Sequence, residues 1–163
     1  GVNETVREYV RLTQELDARD TPVVLVLFGD HKPWMGNGGS VYEEMGIDFD
    51  TSTLAGFRNY YATPYLIWAN RAAKEVLGAD FTGDGGDFSP CFLMTRLFDA
   101  CGWAGPGYMQ LSRAMRDISP LLHTNGLFLH DGVLTSVLSD TDRSFYRSWL
   151  AVQYYREHVA AYS

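Results

Sequence analysis

Gly29, Asp30 and His31 stand together directly after the apolar run Val23-Val24-Leu25-Val26-Leu27-Phe28. A carboxylate offers a hard oxygen and an imidazole a borderline nitrogen. The adjacent pair therefore suits Mn²⁺ or Zn²⁺ better than Mg²⁺ or Ca²⁺, which prefer all-oxygen shells. A divalent ion there would neutralise charge building on a phosphoryl or sulfuryl group and lower the pKa of a coordinated hydroxyl or water. Successive side chains of a strand point to opposite faces, so Gly29 is expected to let the backbone turn sharply and bring both donors onto one ion. The competing reading makes Asp30 a turn cap and His31 a surface loop residue. Lys32 is a candidate contact for a substrate anion, against the alternative of a solvated loop cation. Trp34, in the same loop, is a candidate for lining a sugar or lipid-headgroup site.

The elements that must position these residues are legible as hydrophobic patterns. Residues 23–28 form an uninterrupted apolar run rich in β-branched residues, which suits a strand covered on both faces. Before it, Asn3 caps an expected helix with Val6, Tyr9, Val10 and Leu16 mostly on one face, stopping near Asp17 to Asp20. A helix feeding a doubly covered strand predicts an α/β fold with a mostly parallel sheet and flanking helices. The glycine-rich loop Gly29 to Ser40 then lies at the strand's C-terminal end, where open α/β sheets bind ligands. Residues 41–61 are polar and aromatic, with a helical turn expected at Tyr42 to Met45.

A second buried strand is expected over Thr63 to Asn70, with Pro64 tolerated only at its beginning, and a short helix over Arg71 to Leu77. Ser89-Pro90 opens a helix that stops at Gly102. Cys91 and Cys101 would lie on it roughly 15 Å apart, too far to pair. Tyr108 to Ile118 reads as a further helix. Asp131-Gly132 between two apolar runs is the hairpin signal of the chain. A last helix, capped by Asp140 or Thr141, runs towards Val159.

The ordered pair of segments resembles the C-terminal part of the lipoteichoic acid synthase-like branch of the sulfatase/alkaline phosphatase superfamily. The residues that carry the resemblance are Val23 to Phe28 followed by Gly29-Asp30-His31-Lys32-Pro33, then Tyr61-Ala62-Thr63-Pro64-Tyr65-Leu66-Ile67-Trp68-Ala69-Asn70. It covers residues 3 to 77. On this likeness residues 1–77 are the metal-ligand segment, and residues 78–163 a variable helical C-terminal end.

The resemblance implies a metal-dependent transferase or hydrolase of phosphate or sulfate esters at the outer face of a membrane, with glycerol phosphate transfer to an envelope polymer favoured. Asp30 and His31 match metal ligands. Asn70 closes the second motif and is expected to act as a turn or cap. The family's nucleophile and remaining ligands lie upstream of Gly-Asp-His, and only 28 residues precede Gly29 here. The chain is therefore expected to be the C-terminal fragment of a larger membrane enzyme and inactive alone, its chief partner the rest of its own polypeptide.

Composition bounds the alternatives. With 13 Lys+Arg against 20 Asp+Glu over 163 residues, the net charge is −7, and no basic run offers the phosphate contacts that nucleic-acid binding requires. No apolar run approaches the roughly 20 residues of a bilayer span, so the segment itself is expected to be soluble. His123, His130 and His158 share no ligand spacing and read as structural or surface residues. Asp84 and Asp87 flank a glycine pair but lack an EF-hand's ligand periodicity. A second reading is a complete small glycan- or envelope-binding module, in which Trp34 and the glycine-rich loop grip a glycan and the Asp-His pair is incidental.

Overall fold

A computed structural model describes residues 2–159, the side chain of Val2 excepted. Helix α1 (Val2–Asp17) leads into strand β1 (Val24–Phe28), a loop and helix α2 (Ser40–Glu44). Helix α3 (Leu54–Tyr61), strand β2 (Tyr65–Ala69) and helix α4 (Arg71–Leu77) follow. A single 3-10 turn at Pro90–Phe92 opens α5 (Leu93–Ala100), then come α6 (Gly107–Ile118), the strands β3 (Phe128–His130) and β4 (Val133–Thr135), and α7 (Asp140–His158).

The mixed α/β class stands, but the expected mostly parallel sheet is not what the described strands form. β1 and β2 pair antiparallel, Val24 opposite Ala69 and Phe28 opposite Tyr65, and β3 and β4 make a second antiparallel pair. Between β1 and β2 the chain folds back through α3 at the same end of the sheet, so no crossover returns it to the starting edge. The expected double cover of β1 also fails. Every residue of β1 keeps some exposure, and Phe28 is 62% exposed. Val6, Tyr9 and Val10 of α1 are exposed as well, and only Leu16 at the far end of that face is buried.

The main core lies in the C-terminal half. Phe92, Met115 and Trp149 are buried, with Leu111, Ile118, Phe145 and Tyr146 packed around them. Trp149 Nε1 donates to Ser112 Oγ at 3.1 Å, so its one polar atom is satisfied inside that core. The hairpin forms at the expected place. Asp131 (φ 49°) and Gly132 (φ 77°) both take the left-handed conformation that a two-residue I′ turn demands. Ser139, rather than Asp140 or Thr141, caps α7, its hydroxyl accepting from Asp142 N. Cys91 and Cys101 are unpaired. No helix of the described residues is long and apolar enough to cross a membrane.

The unforeseen element is α3. Thr53 caps it by accepting from Gly56 N at 3.0 Å, and Asp50 accepts from the Ser52 amide and hydroxyl in the turn before it. α3 ties the two halves together. Phe57 and Tyr61 pack on the His123 ring at 5.2 and 4.6 Å, and Arg58 pairs with Asp87 at 2.7 Å.

Candidate functional site

The turn after β1 is built by β2. Gly29 N donates to Pro64 O at 3.0 Å, and Thr63 Oγ1 donates to Gly29 O at 2.7 Å. The antiparallel pairing thus continues one residue past the strand and fixes where Asp30 leaves the sheet. Gly29 itself is not left-handed, and the chain bends at Asp30 and His31. A side chain there would be tightly packed, because a Cβ would lie 3.0 Å from Thr63 Cβ and Thr63 would have to give by a few tenths of an ångström. Sequence reasoning missed Thr63 as a support. Its signal was the following Pro64, which biases Thr63 to an extended backbone facing β1.

Asp30 and His31 come together and point outward. Their side chains are 83% and 79% exposed, and His31 Nε2 lies 3.5 Å from Asp30 Oδ2. Asp30 Oδ1 accepts from the His31 amide at 2.8 Å, which folds the carboxylate back towards the ring. His31 Nδ1 lies 3.0 Å from Lys32 O. A carbonyl only accepts, so Nδ1 carries the hydrogen and the neutral ring's lone pair is on Nε2, the orientation that outer-shell carbonyls impose on ligating histidines. Nε2 and Asp30 Oδ2 thus face each other 3.5 Å apart in open solvent, where a shared proton or a metal ion could lie between them. Two donors each about 2.1 Å from a tetrahedral ion stand about 3.4 Å apart, so the pair fits two corners of such a shell.

The pair stands alone. No group of three or more His, Cys, Asp and Glu side chains among the described residues is placed to hold a metal. Lys32 is half-buried. Its ammonium donates to Asn59 O and pins the loop to α3. Trp34 is 59% exposed and rests edge-on against Tyr60 at 6.1 Å, at the end of an aromatic row that continues through Phe49 to Tyr42. The Tyr42 hydroxyl donates to Pro33 O and anchors the loop from the other side.

Asn70 is a cap, as expected, and also much more. It is fully buried, and Oδ1 accepts from Ala73 N and from Val23 N, both at 2.9 Å. Its Nδ2 faces the carbonyls of Leu16, Arg19 and Thr21. The side chain therefore locks the end of α1, the start of β1 and the start of α4 to one another. The remaining candidates make local contacts within the fold. Besides the contact of His123 with α3, His130 Nδ1 lies 3.1 Å from Ile118 O, and His158 packs on Tyr154. Asp84 Oδ1 accepts from Gly86 N, an internal loop bond.

Comparison with protein-family models, with curated proteins and with solved structures returned no match.

Proposed function

We propose that the chain supplies part of the metal site of a larger metal-dependent phospho- or sulfo-ester transferase or hydrolase of the cell envelope, with lipoteichoic acid synthase-like glycerol phosphate transfer favoured. The observation that carries this reading is the Asp30–His31 pair: two exposed donors 3.5 Å apart at a strand end, with the imidazole lone pair left free by the carbonyl of Lys32. Asp30 and His31 would hold the ion, Mn²⁺ being favoured. Such an ion supplies charge neutralisation at the reacting ester oxygen. The nucleophile and further ligands would come from sequence preceding this segment. The uncovered apolar residues of α1 and β1 support the same reading, because exposed side chains such as Val6, Val10 and Phe28 are those a fuller fold would bury.

The test is to recover the native gene product from membrane and soluble fractions with an antibody to this segment, and to assay it for Mn²⁺-dependent ester transfer or hydrolysis. A much larger, membrane-associated product whose activity falls by orders of magnitude in Asp30→Ala and His31→Ala is expected. Near-native rates in both variants with metal bound would sink the assignment. The exposed Trp34 beside its aromatic row favours a second reading, a glycan-binding module. That reading predicts a product no longer than this chain and carbohydrate binding indifferent to chelators.

A further inference from the structure

Arg96, on α5, is the charged residue whose environment the fold does not explain. Its Nε is sealed from solvent and has no hydrogen-bond partner, and among the described residues the side chain makes no ion pair. That Nε forfeits water without a compensating acceptor, while the rest of the half-buried side chain keeps some exposure. Its neighbours Arg113 and Arg116 both pair with Asp99, at 2.6 Å each, so the fold supplies a partner to the other arginines of this region and leaves this one without.

Arg96 lines a cleft of about 440 Å³ between β2 and the 79–88 loop, within the size range of small-ligand sites. The walls are mixed: Tyr65 and Ile67 from β2 and Phe81 from the loop offer apolar contact, and Asp80, Thr82 and Asp84 offer polar contact. Phe81 holds φ 57°, a left-handed conformation costly for an aromatic residue, as part of the loop that closes the cleft. Tyr65 packs on Phe88 at 4.8 Å, which holds the far end of the loop against the sheet.

The carboxylates of the loop do not answer Arg96. Asp87 pairs with Arg58, Asp84 accepts from Gly86 N, and Asp80 accepts from Thr82 N. Asp80 and Asp84 do line the cleft, and their charges set a limit on what enters. The one cation of the lining is therefore outnumbered, so an anion holds there only if an apolar body adds contact with Tyr65, Ile67 and Phe81, which a small inorganic dianion lacks.

We propose that the Arg96 cleft is a binding site for a monoanionic oxyanion carried on an apolar body, a carboxylate or a phosphodiester, with the charge on the guanidinium and the body against Tyr65, Ile67 and Phe81. This site is separate from the Asp30–His31 pair and does not depend on its role.

The test uses the 163-residue chain with benzoate as probe, its neutral isostere benzamide as control and inorganic sulfate as the dianion, each titrated to about 10 mM by NMR. Benzoate is expected to shift the amides of residues 80–86 and 96 saturably, with benzamide and sulfate each at least about tenfold weaker. Arg96→Gln is expected to abolish the shifts while retaining a folded spectrum, and Asp84→Asn to tighten benzoate binding. The proposal is overturned if benzoate produces no saturable shift, if benzamide or sulfate matches it, or if Arg96→Gln binds equally well. It is overturned too if Asp84→Asn and Arg96→Gln destabilise the fold by the same, non-additive amount, since Asp84 would then be the missing partner.

Discussion

Asn70 Oδ1 accepts a hydrogen bond from the Val23 amide at 2.9 Å, across 47 residues of sequence. The Asn70 amide returns one to Val23 O at 3.0 Å, so the two residues close the open end of the β1·β2 pair. The opposite end of that pair carries Gly29 and Thr63, and beyond them Asp30 and His31. The clamp at Asn70 therefore sets the register that delivers the candidate metal pair.

Replacing Asn70 should unseat this clamp. Asn70→Ala leaves the Val23 and Ala73 amides and three carbonyls without their side-chain partner in a buried place, and a loss of about 3 kcal/mol is expected in urea unfolding. Asn70→Asp should be no better, because a carboxylate cannot donate to the carbonyls of Leu16, Arg19 and Thr21.

The Asp30–His31 pair should chelate weakly by itself. Calorimetric titration with Zn²⁺ or Mn²⁺ is expected to show binding that falls about tenfold or more in either Asp30→Asn or His31→Ala. Binding unchanged by both substitutions would place the ion elsewhere.

Asp99 should make the fold acid-sensitive. Partial burial opposes its ionisation, but hydrogen bonds from Arg116 and Arg113 outweigh that and hold the carboxyl below its ordinary 3.8. A group with a depressed folded pKa contributes fully above its unfolded value, and the contribution is lost as the pH falls through the folded value. Stability from this cluster should thus be complete near neutrality and be lost progressively as the pH falls from about 4 through the lower folded value. Asp99→Asn should cost about 2 kcal/mol at neutral pH, and the variant's stability should fall less steeply in acid.

Gly56 should tolerate no side chain. A Cβ there would lie 2.1 Å from Asp50 O and 2.6 Å from Asp50 C, backbone atoms held by the capping turn of α3. Gly56→Ala is expected to lower the thermal midpoint through a loss of about 2 kcal/mol, despite alanine's higher helix propensity. A stabilised variant would mean that the turn before α3 is free to move.

Local chemistry was enough to place much of this chain. The run Val23 to Phe28 had to be a strand, Asn70 had to cap α4, Asp131-Gly132 had to turn, and Asp30 had to neighbour His31, because each rests on the preferences of a few contiguous residues. What lay beyond reach were relations between distant segments. A continuous apolar run specifies a strand but not the direction of its partner, so the antiparallel return to Tyr65 was invisible in it. The reason for Gly29 lay in Thr63, and α3 was hidden because its cap and turn were written in Asp50 and Thr53 rather than in an apolar period. The fate of charge also waited on the tertiary structure. Lys32, Arg113 and Arg96 look alike as isolated cations in a sequence, and only packing gave the first a carbonyl, the second a carboxylate, and the third a place in the wall of a cleft.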